Sequence, residues 1–275
     1  MRRLVTMSTG VVLLAVSASI YADTGFLDRV MLVKGEAIRY QVYVPVEWTP
    51  TRTWPMMLHL HGNGSQGTDG LRQTNSATAA IVNAIRQDRK RFPLVIVFPQ
   101  AQPGTRWTTP DMEEMVLTQL AAATKEFNGD QSRTYLAGFS MGGQGVMRIG
   151  ARLPGRFAAL VEVAGRLSPQ NPTNSPAQTA DDIKANPYLA DADPFRRTAE
   201  LLRQTPFWIF HGDADTTVPV SEARTLAAAL KASGAKLFRY TELAGAGHVE
   251  ANEKAWADPA LMEWLLAQRL GAGTR

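Results

Sequence analysis

The chain has 275 residues, of which 45% are hydrophobic and 20% charged, and its formal net charge at pH 7 is +4. These values are ordinary for a globular protein with a sizeable core, and the charge is too small to indicate binding to nucleic acid or anionic membranes. The chain has no cysteine, which excludes a disulfide, a thiolate nucleophile and a lipidated cysteine anchor. An exported protein without cysteine suits the bacterial periplasm or the medium, where the fold must depend on its core.

The first 22 residues have the pattern of a secretory signal peptide. Two arginines precede an apolar run at residues 11–16, and small residues follow it. We expect cleavage after Ala22, with Ala18 as the alternative site, and therefore a periplasmic or secreted protein. A transmembrane anchor is the competing interpretation, but the apolar run is too short to span a bilayer comfortably. Residues 1–22 carry two Arg and no acidic residue, so cleavage would leave a net charge of 4 − 2 = +2.

The remaining chain alternates strand-like runs with segments of helical periodicity. In chain order the predicted elements are strand 37–44, strand 56–61, helix 74–89, strand 93–99, helix 111–127, strand 133–137, helix 144–152, strand 157–164, strand 206–210, helix 221–233, strand 237–243 and helix 256–269. Strands that alternate with helices predict a mainly parallel sheet with helices on both faces. We therefore expect a single α/β domain over residues 23–275.

One segment interrupts this alternation. Residues 168–193 are rich in Pro, Asn, Ser, Thr and Asp and have little periodicity. A long irregular insertion in a compact domain is usually functional or mobile. The segment is expected to form a lid or a pocket wall, or else a plain surface loop.

Residues 138–143 read GFSMGG, which fits the motif G-x-S-x-G with Ser140 at its centre. This motif marks a nucleophile elbow, in which a serine occupies a sharp, strained turn between a strand and a helix. Glycines flank the serine because a Cβ there would collide with neighbouring backbone. The predicted strand before the motif and the predicted helix after it match this context. The sequence therefore indicates Ser140 as the nucleophile of an acyl-transfer reaction.

A serine nucleophile needs a base that takes its proton, and with this elbow the acid and then the histidine follow the serine along the chain. The chain has four histidines. His248 lies well after Ser140, in a glycine-rich loop that follows the last predicted strand. The glycines allow the loop to bring the imidazole back over the sheet, so His248 is the predicted base. Among the other three, His211 is expected to bond its own loop.

The carboxylate that orients the base should follow the last strand but one. Asp213 and Asp215 both lie there. Asp213 directly follows the strand and could instead cap the turn, since Asp readily bonds a backbone N–H two residues on. Asp215 lies further into the loop, with Val218 and Pro219 behind it, and is the favoured acid.

Two N–H donors should stabilise the oxyanion that forms during acyl transfer. The N–H of Met141 is one, because it directly follows the nucleophile. The N–H of Asn63 is the other, because the glycines on either side of it permit close approach of the backbone to substrate. His59 and His61 are expected to be structural supports. Metal binding by these two histidines is a weaker alternative, since no third ligand lies nearby.

These motifs together resemble the α/β-hydrolase superfamily, and within it the secreted esterases often labelled predicted peptidase or phospholipase/carboxylesterase. The resemblance covers roughly residues 36–270 and includes HGNG at 61–64, HGDADTTVP at 211–219 and AGH at 246–248. It implies that Ser140 is the nucleophile, His248 the base and Asp215 the acid. Separately, the position of Trp107 in the loop after the strand at 93–99 suggests a wall for the acyl group, with packing in the core or at the surface, the usual role of tryptophan, as the alternative.

The function expected from these residues is hydrolysis of carboxylic esters of small acyl or aryl groups through an acyl-enzyme, without a metal or organic cofactor. The substrate would be a small-molecule or polymeric ester, and no nucleic-acid partner is expected. A peptidase, a feruloyl esterase or a polyester depolymerase could use the same triad, because specificity depends on loop shape. A ligand-binding protein that kept the fold and lost catalysis is a further alternative, although all three triad residues are present.

Overall fold

A single eight-stranded sheet organises the computed structural model, which describes residues 23–33, 35–168 and 176–271. The spatial order is β1-β2-β4-β3-β5-β6-β7-β8. The strands β1 and β2 join the edge of the sheet antiparallel, and the others pair in parallel. Their bounds are β1 Gly25–Val33, β2 Glu36–Val44, β3 Trp54–Leu60, β4 Val95–Phe98, β5 Gly129–Phe139, β6 Ala159–Val163, β7 Phe207–Gly212 and β8 Phe238–Leu243.

Helices cover both faces of this sheet. Their bounds are α1 Arg72–Asn75, α2 Ala80–Gln87, α3 Pro110–Glu126, α4 Met141–Arg152, α5 Pro176–Ala185, α6 Pro194–Leu202, α7 Ser221–Ala232, α8 His248–Ala257 and α9 Pro259–Leu266. Buried residues of α3, α4, α6 and α7 form one core layer, and those of α2, α8 and α9 form the other. The predicted α/β fold with a mainly parallel sheet and helices on both faces is confirmed.

The central strands are mostly apolar because both of their faces are buried, with His59, Glu162 and His211 among the buried polar exceptions. Within β3, Met56 and Leu58 belong to the first core layer and Met57 to the second. Parallel strands place their carboxyl ends at one edge of the sheet. The loops after β3, β4, β5, β6 and β7 therefore meet there, and this edge carries the residues predicted to be functional.

The closing helix predicted at 256–269 is in fact the end of α8 followed by α9. Proline lacks an N–H and restricts the residue before it, so the chain breaks at Asp258 and restarts with Pro259. The Asp258 carboxylate accepts the N–H of Ala260 and caps the new helix. The helix predicted at 74–89 is likewise split, into α1 and α2. The strand β1 was not predicted, because apolar Val30 and Leu32 lie on its exposed face and its hydrophobicity therefore does not alternate as its burial does.

The prediction of an irregular segment at 168–193 needs correction, because α5 and a short 3₁₀ turn at Pro187–Ala190 lie within it. A buried ion pair attaches α5 to α4. Nη2 of Arg148 lies 3.1 Å from Oδ2 of Asp182, and both side chains are almost completely enclosed. The same nitrogen donates to the carbonyl of Leu167 at 2.8 Å. This pairing links distant parts of the chain, so local sequence periodicity does not reveal it.

The predicted signal peptide at 1–22 lies outside the described residues.

Candidate active site

Ser140 lies between the end of β5 and the start of α4, in a backbone conformation that side chains rarely adopt. Its φ is 56° and its ψ is −114°. Its N–H donates to the carbonyl of Val163 and its carbonyl accepts the N–H of Gln144, both at 2.9 Å. These two hydrogen bonds hold the strained residue from the sheet on one side and from the helix on the other. The elbow predicted from G-x-S-x-G is therefore present.

Two glycines of the motif are required by close packing. A Cβ on Gly142 would lie 1.9 Å from the carbonyl oxygen of Leu60, and a Cβ on Gly138 would lie 2.4 Å from that of Gly142. Neither carbonyl group could move away without disturbing β3 or the turn between β5 and α4. The first turn of α4 can approach the sheet so closely only because these positions lack side chains.

The structure brings together the three side chains predicted to form the triad. Oγ of Ser140 lies 2.8 Å from Nε2 of His248. Nδ1 of the same imidazole lies 2.6 Å from Oδ2 of Asp215. With Nδ1 donating to the carboxylate, Nε2 is left as an acceptor for the serine hydroxyl. This tautomer is the one that a base acting on Ser140 requires.

The sequence analysis placed His248 within a loop, but in the structure it is the first residue of α8. Gly247, the residue before it, is extended with φ −78° and ψ −175° and caps the helix. The imidazole packs against the ring of Phe139, with 4.8 Å between the ring centroids. The side chain remains 14% exposed, so solvent or substrate can reach it.

Asp215, and not Asp213, faces the imidazole of His248. Oδ1 of Asp215 accepts the N–H groups of Thr217 and Val218, each at 2.8 Å. Burial alone would raise the pKa of this carboxyl, but hydrogen bonds from His211, His248 and the Val218 N–H outweigh it and hold the pKa well below its usual range. The carboxylate therefore stays ionised beside the histidine at any ordinary pH.

Asp213 has a different partner. Its Oδ1 accepts the N–H of Gly245 at 2.6 Å, which ties the loop after β7 to the loop before α8. This contact differs from the local turn cap that the sequence had left open for Asp213, because Gly245 belongs to a different loop. The side chain is exposed, so the contact positions the loop of His248 and does not orient the imidazole itself.

Asp215 also contacts a second histidine, His211, and this contact was not predicted. His211 is completely buried, and its Nε2 donates to the carbonyl of Val218 at 2.9 Å and lies 3.4 Å from Oδ2 of Asp215. Burial would lower the pKa of His211, but the carboxylates of Asp215 and Glu162 raise it. The predicted loop-bonding role of His211 is confirmed. Its additional contact with the acid joins residues four apart, at the end of β7 and in the loop that follows it.

Glu162 is 1% exposed and lies on β6 beneath the first turn of α4. It accepts the N–H of Gly165. Burial raises the pKa of its carboxyl to about 7, against smaller opposing effects from His211 and the Gly165 N–H. A charged residue in the middle of an apolar strand was the signal that could have singled it out.

A cavity of about 150 Å³ opens beside Ser140. Asn63 and Met141, the predicted oxyanion donors, both line it. The N–H of Met141 is the first of α4, where helix N–H groups have no partner within the helix, and Asn63 begins a 3₁₀ turn after β3. The described residues that line the cavity are Asn63, Arg106, Ser140, Met141, Gln144, Arg166, Thr217 and Val218.

Trp107 does not line this cavity, and its predicted role as a wall for the acyl group is corrected. The side chain is completely buried, and its Nε1 donates to the carbonyl of His61 at 2.9 Å. A Cβ on Gly145 would lie 2.7 Å from Cβ of the tryptophan. The indole therefore packs between α4 and the loop after β3, and it supports the loop that carries Asn63.

His59 and His61 occupy supporting positions, as predicted. Nδ1 of His61 donates to the carbonyl of Gly62 at 2.7 Å, and Nε2 accepts the N–H of Ala101 at 3.0 Å. Burial lowers the pKa of His59 to about 3 and that of His61 to about 4, so both rings are neutral.

Among the described residues, no group of three or more His, Asp or Glu side chains is arranged to hold a metal ion. None of the described helices is long and apolar enough to cross a bilayer.

Solved structures share this architecture. A thermostable esterase is 25% identical with a TM-score of 0.68, and the alignment covers 89% of this chain. The chain spans only 63% of the length of that esterase. The fluorophosphonate-binding serine hydrolase F of Staphylococcus aureus is 14% identical with a TM-score of 0.67, and the alignment covers 89% of this chain and 99% of that one.

An S-formylglutathione hydrolase from Agrobacterium tumefaciens is 19% identical with a TM-score of 0.62, over 90% of this chain and 95% of that one. No curated protein matches the sequence. The model of the prolyl oligopeptidase family matches residues 104–269, which is more than half of the chain and includes the elbow, the acid and the histidine. The chain therefore belongs to the prolyl oligopeptidase family and, by its fold, to the α/β-hydrolase superfamily of serine hydrolases and esterases.

Proposed function

We propose that this protein is a serine hydrolase that cleaves carboxylic esters of small acyl or aryl groups through Ser140, His248 and Asp215. The observation that carries the proposal is the unbroken chain of hydrogen bonds from the serine hydroxyl through the imidazole to the carboxylate. Family membership and the shared fold support a hydrolase. The strained serine supports its role as the nucleophile, because such strain is retained where function needs it.

In the first half of the reaction, Oγ of Ser140 attacks the ester carbonyl while Nε2 of His248 takes the hydroxyl proton. The carboxylate of Asp215 holds the reactive tautomer and stabilises the imidazolium that forms. The backbone N–H groups of Asn63 and Met141 stabilise the negative oxygen of the tetrahedral intermediate. His248 then gives its proton to the departing alcohol, and an acyl-enzyme remains.

In the second half, water takes the place of the alcohol. His248 accepts a proton from the water as it attacks the acyl carbonyl, and Ser140 leaves with that proton. The carboxylic acid is released and the enzyme returns to its starting state. Each proton transfer uses the same imidazole nitrogen, so no metal or organic cofactor is required.

The cavity favours a small acyl group. Its volume of about 150 Å³ is small beside the roughly 300–1,000 Å³ of ordinary ligand pockets. The two proposed oxyanion donors line the same cavity, so the acyl part of the substrate extends from the carbonyl into it. A long fatty acyl chain would have to leave along the surface.

Family membership favours a peptidase as the second candidate, because the family is that of prolyl oligopeptidase. An amide leaving group needs protonation by His248 as the C–N bond breaks, whereas an activated ester does not. The ratio of turnover on a p-nitrophenyl ester to that on the p-nitroanilide of the same acyl group separates the two. A peptidase would cleave the anilide at a readily measurable rate, whereas an esterase would leave it almost intact. A feruloyl esterase or a polyester depolymerase would reveal itself by preferring aryl or polymeric esters.

The primary test is hydrolysis of p-nitrophenyl esters from acetate to long acyl chains. Ser140→Ala should abolish turnover, and Ser233→Ala, which removes a hydroxyl remote from the cavity, should not. We expect the greatest kcat/KM with acyl groups of two to four carbons, in keeping with the cavity. Absence of turnover on every ester and anilide by folded protein, together with no reaction of Ser140 with a fluorophosphonate, would favour the noncatalytic binding protein.

Export to the periplasm or the medium is also proposed, on the basis of the sequence of residues 1–22. N-terminal sequencing of the protein recovered from the periplasm and the medium tests this. A mature chain that begins at Asp23 supports cleavage after Ala22. An intact N-terminus in the cytoplasmic fraction would contradict the proposal.

A further inference from the structure

The cavity beside Ser140 is polar, but the charges around it balance. Arg106 and Arg166 line it. The ionised carboxylate of Asp215 lies directly behind it and accepts backbone N–H groups of two lining residues. Glu222 lies beside Arg166. These four side chains carry a net charge of 2 − 2 = 0, so the cavity favours a neutral ligand that forms hydrogen bonds over an ion.

Apolar side chains are a minority in the lining. Of the eight described lining residues, only Met141 and Val218 have apolar side chains. Ligand pockets are usually lined mainly by apolar side chains, with a few polar groups that confer specificity. A plain alkyl chain in this cavity would displace water from polar groups without replacing their hydrogen bonds, which is unfavourable. The lining therefore favours a part of the substrate that carries hydrogen-bonding atoms.

Gln144 is the most enclosed of the polar lining residues. It is 3% exposed. Its Nε2 is buried, and no acceptor from the part of the chain that the structure describes bonds it. A half-turn about the terminal torsion, which has two broad minima, exchanges the amide nitrogen and oxygen, so either can face the cavity. Because buried polar groups are nearly always hydrogen-bonded, an amide in this state at the wall of a cavity points to a ligand.

Gln144 lies one helical turn after the nucleophile. Its N–H donates to the carbonyl of Ser140 at 2.9 Å, in the first turn of α4. Cα–Cβ bonds in an α-helix tilt toward the N-terminus, so this side chain leans back toward Ser140. Side chains four residues apart have Cβ atoms about 5–6 Å from each other. The amide is therefore within reach of the second or third carbon of an acyl group held at Ser140.

The cavity receives the acyl part of the ester. The alcohol part must lie beside His248, which gives it a proton as it departs. His248 is not among the described residues that line the cavity, whereas Asn63 and Met141, the proposed oxyanion donors, are. The groups that Gln144 meets therefore belong to the acyl part.

We propose that Gln144 is a specificity-determining residue that hydrogen-bonds a hydroxyl group on the acyl part, and that the preferred substrates are esters of 2- or 3-hydroxy acids. A hydroxyl matches the amide because each can both donate and accept a hydrogen bond. This inference rests on the proposed esterase function and assigns the substrate class within it. Esters in which a methyl group replaces the hydroxyl should be poorer substrates, since they leave the amide unpaired.

The test compares p-nitrophenyl 3-hydroxybutyrate with p-nitrophenyl 3-methylbutyrate, and the 2-hydroxybutyrate with the 2-methylbutyrate. The hydroxyl also changes the intrinsic reactivity of the ester. The measured quantity is therefore the hydroxyl-to-methyl ratio of kcat/KM in the wild type, divided by the same ratio in Gln144→Met. We expect a value of about tenfold or more in at least one pair, since a site that bonds a substrate hydroxyl discriminates against analogues without it. The change should lie mainly in KM, because the hydrogen bond forms before reaction.

A matched control makes the same substitution at a remote position. Gln87 is exposed at the end of α2, and Gln87→Met should leave the ratio unchanged. Gln144→Leu also lacks hydrogen-bonding atoms and should reproduce Gln144→Met, and melting temperatures show that the variants compared are folded. Equal ratios in the wild type and the Gln144 variants for both pairs would overturn the proposal. Dependence on Gln144 found only for 2-hydroxypropyl acetate against isobutyl acetate would overturn the placement on the acyl side.

Binding of the free acids to Ser140→Ala, measured by NMR titration, separates failure of the subsite from failure of the esterase. Binding of a hydroxybutyrate at least fivefold tighter than that of its methyl analogue, with this advantage lost when Gln144→Met is added, supports the subsite even if no ester is hydrolysed. Hydrolysis of the esters with no effect of Gln144 on either ratio, and no preferential binding of a hydroxy acid, would leave the esterase standing and reject the subsite.

Discussion

Nδ1 of His248 lies 2.6 Å from Oδ2 of Asp215, and the other oxygen of that carboxylate accepts two backbone N–H groups. The carboxylate is thus held at both ends, and the orientation of the imidazole follows from it. Asp213 lies two residues away along the chain but bonds the backbone of Gly245. The roles of the two aspartates in catalysis should therefore differ greatly.

We predict that Asp215→Asn lowers kcat/KM on an activated ester by on the order of 10⁴-fold, because an amide that donates to the imidazole favours the wrong tautomer. Asp213→Asn should cost less than about tenfold, since only a loop contact is weakened. Steady-state kinetics on p-nitrophenyl acetate measures both. The reverse ranking of the two variants would identify Asp213 as the acid.

Gly142 should tolerate no side chain. Gly142→Ala places a Cβ 1.9 Å from the carbonyl oxygen of Leu60, and backbone on both sides prevents relief. We expect a loss of about 3 kcal/mol or more in the free energy of unfolding, or failure to fold. Gly64→Ala is the matched control, because a Cβ added there would have nothing within 4 Å, and it should cost less than about 1 kcal/mol. Similar denaturation midpoints for the two variants would contradict the packing argument.

Glu162 should make stability depend on pH. Its pKa is about 7 in the folded protein, above the roughly 4.3 expected in the unfolded chain. The folded state therefore binds this proton more tightly, and the contribution of Glu162 to stability falls as pH rises between these two values. His211, whose pKa is also raised, acts in the same direction. The buried His59 and His61, whose pKa values are lowered, act in the opposite direction up to about pH 6.5, so the effect of Glu162 is seen in the difference between the wild type and a Glu162 variant. Asp215 has a lowered pKa, so its contribution is lost only at acid pH, outside this range.

Glu162→Gln should remove part of this dependence. We expect the wild type to lose roughly 1–3 kcal/mol more stability than the variant between pH 5 and pH 8. Urea denaturation at the two pH values measures the difference. Glu253→Gln, which removes a carboxylate from the exposed surface of α8, serves as the control and should behave as the wild type does. An equal loss in the wild type and Glu162→Gln would show that Glu162 does not titrate in this range.

The attachment of α5 to α4 should depend on one ion pair. Asp182→Asn leaves the guanidinium of Arg148 buried without a counter-charge, which should cost about 3–5 kcal/mol. Glu200→Gln, which breaks an exposed pair with Arg196, should cost less than about 1 kcal/mol. Chemical denaturation compares the two. If Asp182→Asn were as mild as the surface change, the pair would not be what holds this segment.

Much of the site could be predicted because local sequence restricts local geometry. The G-x-S-x-G run between an apolar strand and a helix is compatible with few conformations, and it located Ser140. The glycines before His248 and the aspartates after β7 follow the order expected for this elbow. The alternation of strands and helices likewise predicted the parallel sheet. The breaks in two predicted helices were missed because periodicity continues across them.

The remaining features depend on contacts between distant parts of the chain. Trp107 could have lined the pocket or packed in the core, and its burial against the carbonyl of His61 decided this. Glu162 acquires its raised pKa from a position beneath α4 that no neighbouring residue in the sequence specifies. Arg106 and Arg166 are 60 residues apart, and only the sheet places them around one cavity.

The sequence by itself determined the fold class, the strained serine and the candidates for base and acid, since these follow from periodicity, glycine positions and chain order. The tertiary structure alone decided which aspartate faces His248, which aromatic residue is buried and which charges surround Ser140. The physical reason is that hydrogen bonds and burial act over a few ångströms in space. Separation along the chain does not determine those distances until the sheet brings its loops to a common edge.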